Sequence, residues 1–298
     1  MSVVGFARLP YKGIISLRKA IHDSLNTAEC VLSKDARNVV LKANLCYYWD
    51  FSTGHTTDPQ FLSALVDLVR EQTSRNATIS VVEADASAMK CRYAFKVLGY
   101  EKMAQEKSIR LVNLSEDNVE KVTVTVDGHN FPVGIPRTIK EADLLINVPK
   151  IKYMTQTKIS CALKNIFGAN PAPSKFRLHP QLDQAIVAIN KAMKFDLHIL
   201  DGIIAPGNPP RRMNLVMASQ DPVAFDAAAS RIAGVNPKTV KHIMLAQKEG
   251  LGTIHFTPKG ESLETFARLY PRKKPTTKLA TLAYSLAMKI GLLSGDAF

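Results

Sequence analysis

The sequence predicts an α/β fold: a mostly parallel sheet with helices on both faces, one β-hairpin excursion and a C-terminal helical extension. Three observations lead there. Short runs rich in Val and Ile alternate with longer segments of helical period. Two alternating segments around Asp127-Gly128 read as a single antiparallel hairpin. A basic, Pro-bearing stretch is followed by the apolar segment "KLATLAYSLAMKIGLL" near the C-terminus. Residues 1–260 are accordingly read as the α/β domain and 261–298 as the extension.

The elements follow in order. "SVVGFA" opens as a strand and leads into a helix from about Ser16 to Leu32. "NVVLKAN" is the next strand. An aromatic-rich loop then reaches a helix from about Pro59 to Arg70, with Thr57 or Asp58 as N-cap and Pro59 in the first helical position. "ISVVEAD" is a strand, and "VEKVTVTVDGHNFPVGIP" is the hairpin, expected at an edge of the sheet. After the strand "DLLINVP" comes a helix from about Lys158 to Phe167. On its wheel Ile159, Ala162, Leu163, Ile166 and Phe167 share one side, and Lys158, Ser160, Cys161, Lys164, Asn165 and Gly168 the other. A helix from about Leu182 to Met193, the strands "LHILDGI" and "NLVMAS", and a helix opening at "DPVAFDAAASRIAG" complete the alternation.

Composition narrows the function classes. The 298 residues, 46% hydrophobic and 22% charged, suffice for a sizeable core. No apolar run reaches the ~18–20 residues of a membrane-spanning helix, and "MSVVGFARLPYKG" lacks the features of a signal peptide, so a cytoplasmic location is expected. Cys30, Cys46, Cys91 and Cys161 are scattered without a C-x-x-C pair, which fits reduced thiols and gives no local iron–sulfur or zinc motif. The glycines form no classical NAD-type dinucleotide or P-loop fingerprint. A net charge of +13 implies attraction to anionic partners or substrates. Part of that excess lies in "LLINVPKIKYMTQTKISCALKNIFGANPAPSKFRLHP", Leu144 to Pro180, which contains no Asp or Glu.

In a parallel sheet, ligands bind beyond the carboxyl ends of the strands. The strand exits here carry Lys42 and Asn44, Glu83 and Asp85, Asn147 and Lys150, Asp201 and Gly202, and Ser219 and Asp221. A small anionic ligand would be held by Lys42, Asn44, Thr56, Thr57, Lys150, Lys152, Lys158, Asn165, Asp201 and Gly202. The start of the helix at Pro59 would add free backbone N–H groups. Lys164, His55 and His179 are the candidates for proton transfer and oxyanion stabilisation. Glu83, Asp85 and Asp221 would orient a histidine or hold a divalent metal. The Pro- and Gly-rich "GANPAPSKFRLHP" is expected to fold over the site, bringing Lys175, Arg177 and His179 near.

Several motifs carry a resemblance. "LKANL", "GHTTDP", "LINVPKIKYMTQTKISCALKNIFGANP", "ILDGI" and "DPVAFDAAASRIAGVNP", with its later "GLG", together resemble the family called domain of unknown function 362, over about residues 36–252. The combination P-K-(I/L)-K, K-N-x-F-G, D-G and D-P-V-A-x-D carries the likeness. Where the family has K-P-N, this chain has Ala43. It also lacks the ferredoxin-like cysteine run of some members, which weighs against a built-in electron-transfer role. The resemblance implies fold and extent, and no established reaction comes with it.

Two main classes of function remain, with a redox or iron–sulfur accessory role as a third. In the first, the protein is an enzyme acting on a small carboxylate or phosphate by acid–base chemistry, of the isomerase, racemase or lyase kind. In the second, it binds RNA or another nucleic acid through its basic clusters, with Tyr47, Tyr48, Trp49 and Phe51 stacking on bases, unless those rings simply pack the loop. For the C-terminal helix, packing on its own domain or on the second subunit of a homodimer is preferred over contact with an anionic membrane.

Overall fold

The computed structural model describes residues 1–10, 13–74 and 76–272. Its elements in chain order are β1 (Ser2–Arg8), α1 (Ile14–Thr27), β2 (Asn38–Lys42), α2 (Pro59–Gln72), β3 (Thr78–Glu83), α3 (Cys91–Val97), α4 (Tyr100–Lys107), β4 (Arg110–Asn113), β5 (Val119–Val126), β6 (His129–Pro136), α5 (Arg137–Lys140) and β7 (Leu144–Asn147). There follow β8 (Lys152–Met154), β9 (Lys158–Ser160), α6 (Ala162–Phe167), α7 (Leu182–Ala192), β10 (Leu197–Ala205), β11 (Arg211–Ser219), α8 (Pro222–Ile232), α9 (Lys241–Lys248), β12 (Phe256–Gly260) and α10 (Leu263–Leu269).

The near-continuous apolar runs of the strands have a simple cause: both faces of the sheet are covered. In β2, Val39 and Leu41 enter one core, with residues of α1, α2 and α3, while Val40 enters the other, with residues of α6, α7 and α8. The eight-stranded sheet has the order β12-β1-β11-β10-β7-β2-β3-β4. Its pairings are parallel except the two made by β11, which runs antiparallel to both β10 and β1. The protein is thus an α/β fold with a mostly parallel sheet and helices on both faces.

The antiparallel β11 corrects one expectation. Its end does not join the rim of the other strands; Asp221 leaves the sheet beside Ser2, the residue that opens β1. Periodicity gives a strand its faces but not its direction. The hairpin β5–β6 also sits differently, forming its own two-stranded sheet against α7 rather than extending the main one. Residues 158–160, expected as the first turn of a helix, pair instead with β8. Lys158 adopts φ 62° there, a left-handed conformation that cannot continue a right-handed helix. Residues 91–113 hold α3, α4 and the edge strand β4, elements not assigned from the sequence. Helix α1 ends at Thr27 rather than near Leu32.

Beyond residue 260, α10 packs on the core through Phe266, whose ring stacks on Phe6 at 6.5 Å. Tyr270 is buried as well and donates its hydroxyl to Ile151 O. The apolar helix expected at "KLATLAYSLAMKIGLL", and the dimer contact assigned to it, lie outside the described residues.

Candidate functional site

The carboxyl ends of β2, β3 and β7, and the middle of β10, deliver charged groups to one rim. Lys42 is fully buried at the end of β2 and pairs with Glu83 of β3 at 2.6 Å. Its ammonium also donates to Ala43 O at 2.7 Å, and Glu83 accepts from the N–H groups of Leu45 and Ala84. This pair is closed. The segment after α6 covers it: Lys175 donates to Asp85 O and Gly168 O, both at 2.8 Å. Burial lowers the Lys175 ammonium to about 8. Arg177 and His179 of the same segment are exposed.

A second closed pair joins β10 to the start of α2. Lys150 and Asp201, both buried, lie 3.1 Å apart. Asp201 also accepts from Asp58 N at 2.9 Å, and Asp58 caps α2 by accepting from Gln60 N. The helix start expected to bind an external anion therefore holds the protein's own carboxylates. Burial and the neighbouring Asp201 raise the Asp58 carboxyl to about 6. The threonines are committed too. Thr57 Oγ1 accepts from Asn44 N and donates to Val148 O, while Thr56 Oγ1 accepts from Cys46 N. Both fix the loop between β2 and α2, and the Thr57 hydroxyl spends its proton on Val148 O rather than on a ligand.

What remains open is carried by Lys152, Lys164 and His55. Lys152 donates to His55 O at 3.2 Å, and Lys164 reaches over the Phe167 ring at 5.6 Å. Neither ammonium has a carboxylate partner among the described residues. Burial lowers the Lys164 ammonium to about 8, and Lys152 pushes in the same direction. Burial likewise lowers Lys152. His55 is brought down to about 4 by burial and by the charges of Lys152 and Lys150, so the ring is neutral near pH 7. Its Nδ1 is buried without a hydrogen-bond partner, and its ring packs edge-on against Trp49 at 4.9 Å.

Beneath α6 the polar groups form a directed network. Asn165 Nδ2 donates to Ala43 O and to Asn147 Oδ1, and Asn147 Nδ2 faces Ala162 O and His198 Nδ1. With both Asn147 amide protons engaged, His198 Nδ1 is the acceptor. Asp226, reaching from α8, accepts from the N–H groups of Ala162 and Leu163 and so caps α6. Burial raises its carboxyl to about 7. Asn165 is thus a positioning residue, held inside the fold.

Other candidates sit elsewhere. Lys158 is exposed on β9 and donates to Thr239 O. Gly202 lies inside β10, where a Cβ would come within 2.9 Å of Leu215 O, so it serves close strand packing. The three carboxylates considered for a metal do not converge. Glu83 is bound to Lys42, Asp85 accepts from Lys90, Cys91 N and Asn113, and Asp221 caps α8 through Val223 N and Ala224 N. Among the described residues no three His, Cys, Asp or Glu side chains form a metal-binding group. His179 feels the charge of Lys164 and also lines a cleft of about 740 Å³ with Thr157, Asp183 and Lys241.

Sequence reasoning missed Asp226 and His198, and read Asp58 only as a cap. The signals were present: a histidine inside the apolar strand "LHIL", and the second Asp of D-P-V-A-x-D among alanines. Both are polar groups whose burial demands a partner.

Among curated proteins, the chain is 28% identical over 254 residues to "Thylakoid-associated protein sll1697" of Synechocystis sp., covering 80% of this chain and 74% of that protein. Among solved structures, it is similar to the lactate racemase apoprotein from Thermoanaerobacterium thermosaccharolyticum, with a TM-score of 0.48 and 11% identity. That match spans 79% of this chain and 58% of the other. Among the described residues, no helix is long and apolar enough to cross a membrane. The model of one family, Domain of unknown function (DUF362), matches residues 39–231, well over half of the sequence, and the chain belongs to that family.

Proposed function

We propose that the protein binds a small anion, a carboxylate or phosphate, at the rim of Lys152, Lys164 and His55, and acts on it by acid–base chemistry. One observation carries this reading. Lys152 and Lys164 are partly withdrawn from water at a shared rim with no carboxylate partner among the described residues, whereas Lys42 and Lys150 have theirs. At an effective dielectric of about 20, unit charges 4 Å apart interact by about 4 kcal/mol. An anion against either ammonium gains on that order before its own desolvation is counted.

The roles follow from the charge states. Lys152, held against His55 O, steadies the anion. Lys164, at about 8, is suited to exchange a proton near neutral pH. His55, neutral above about 4, hydrogen-bonds a polar atom of the substrate. The free cysteines are consistent with a reducing, cytoplasmic setting.

Calorimetric titration with inorganic phosphate and small carboxylates tests the reading. Wild type should bind at least one of them. Lys152→Ala and Lys164→Ala should each weaken that binding at least tenfold, with a melting temperature unchanged or raised. Absence of binding by every anion, or loss of binding only together with a lowered melting temperature, would sink the proposal.

A further inference from the structure

The loop that carries His55 also carries a run of aromatic rings that the core does not absorb. Tyr47, Tyr48 and Trp49 are 47%, 43% and 48% exposed. Three adjacent rings half in water are unusual, because each forfeits apolar burial. They are nevertheless held in place. Tyr47 adopts φ 52°, a left-handed conformation that is strained for a bulky residue. Its ring lies 5.3 Å from that of Trp49, and Trp49 lies 4.9 Å from His55. Tyr48 accepts at its hydroxyl from Lys90 N. A line of rings therefore runs from the surface to His55, whose carbonyl holds Lys152.

Building on the anion-binding reading, we infer that the ligand is a nucleoside monophosphate, with its phosphate on Lys152 and Lys164 and its base on Tyr47 and Trp49. Two features select this class. Two ammonium groups without carboxylate partners match the ≈ −1.5 to −2 charge of a phosphate monoester at pH 7 better than the single charge of a carboxylate. The rings offer a stacking surface at one remove from the ammonium groups, as a base stands from its phosphate. Stacking on an aromatic side chain contributes about 1–3 kcal/mol per base.

The protein carries a single tryptophan, Trp49, so its fluorescence reports on this surface alone. Titrations with phosphate, AMP, adenosine and a single-stranded oligoadenylate, followed by fluorescence and calorimetry, make the test. AMP should quench Trp49 and bind at least tenfold more tightly than phosphate, with adenosine weaker than AMP. Trp49→Ala should bring AMP down to the affinity of phosphate while leaving phosphate unchanged; Tyr47→Ala serves if that variant does not fold. If phosphate binds and AMP binds no better, the inference fails and the anion reading stands. If neither binds, both fail. Equal binding of adenosine and AMP, or preference for the oligoadenylate, would overturn the inference by showing that the ammonium groups play no part or that the seat takes a strand.

Discussion

The four lysines at the rim illustrate how differently one side chain can be used. Lys42 is fully buried but paired, so its cost is met by Glu83 and by Ala43 O. Removing one partner of such a pair leaves a buried charge uncompensated, at about 3–5 kcal/mol. Glu83→Gln should lower the free energy of unfolding by that order in urea denaturation, and Lys42→Met with Glu83→Leu should recover much of it. Lys164 is the contrary case. Its ammonium lies near 8 in the folded protein against an ordinary 10.5, so between those values the unfolded chain binds more protons and stability rises with pH. Lys164→Met should therefore exceed wild type in stability below pH 8, by a margin that shrinks as pH approaches 10.5. Anion affinity of wild type should fall over about pH 7–9 as the charge is lost. At this scale only Lys42 and Lys150 were legible as strand exits; Lys152 and Lys164 were read from the carboxylate-free segment between Leu144 and Pro180. Which acid Lys42 and Lys150 would each meet was not legible, because Glu83 reaches Lys42 and Asp201 reaches Lys150 only once the strand order of the sheet is set.

Helix caps and loop contacts decide which end of the sheet a residue serves. Asp221 sits at the exit of a strand, yet β11 runs against its neighbours and takes it away from the rim. There it accepts from Val223 N, Ala224 N, Thr253 N and Ser2 Oγ. Asp221→Ala should cost about 0.5–2 kcal/mol, as lost N-caps do, and leave phosphate affinity unchanged. Gly54 has the opposite profile. At φ 77° its missing Cβ would come within 2.5 Å of Ala205 C and Pro206 N. Gly54→Ala should destabilise by about 1–3 kcal/mol and weaken anion binding too, because the displaced loop carries His55. The elements themselves were mostly readable from their runs of Val and Ile. The β8–β9 hairpin was not, since residues 158–167 fit a helical wheel that the left-handed Lys158 and the non-helical Cys161 break in the fold.

Across the whole molecule, the alternation of strands and helices conveyed the layer architecture but not the strand order. Adjacency in the sheet follows from how helices cross over, and β7 enters between β2 and β10 after an intervening hairpin and edge strand. A net charge of +13 likewise implied attraction to anions without locating a site for one. The uncompensated part became visible only after Glu83 and Asp201 were assigned to Lys42 and Lys150.

The place of β1 in the sheet has a bearing on biosynthesis. Its two neighbours are β11 and β12, made of residues 211–219 and 256–260, so a strand synthesised early waits for two synthesised late. Such long-range pairing is slow and leaves an unpaired edge in the meantime, with α1 as its early cover. Protease challenge of stalled nascent chains should find residues 2–8 cleavable until residue 260 has emerged, and protected afterwards.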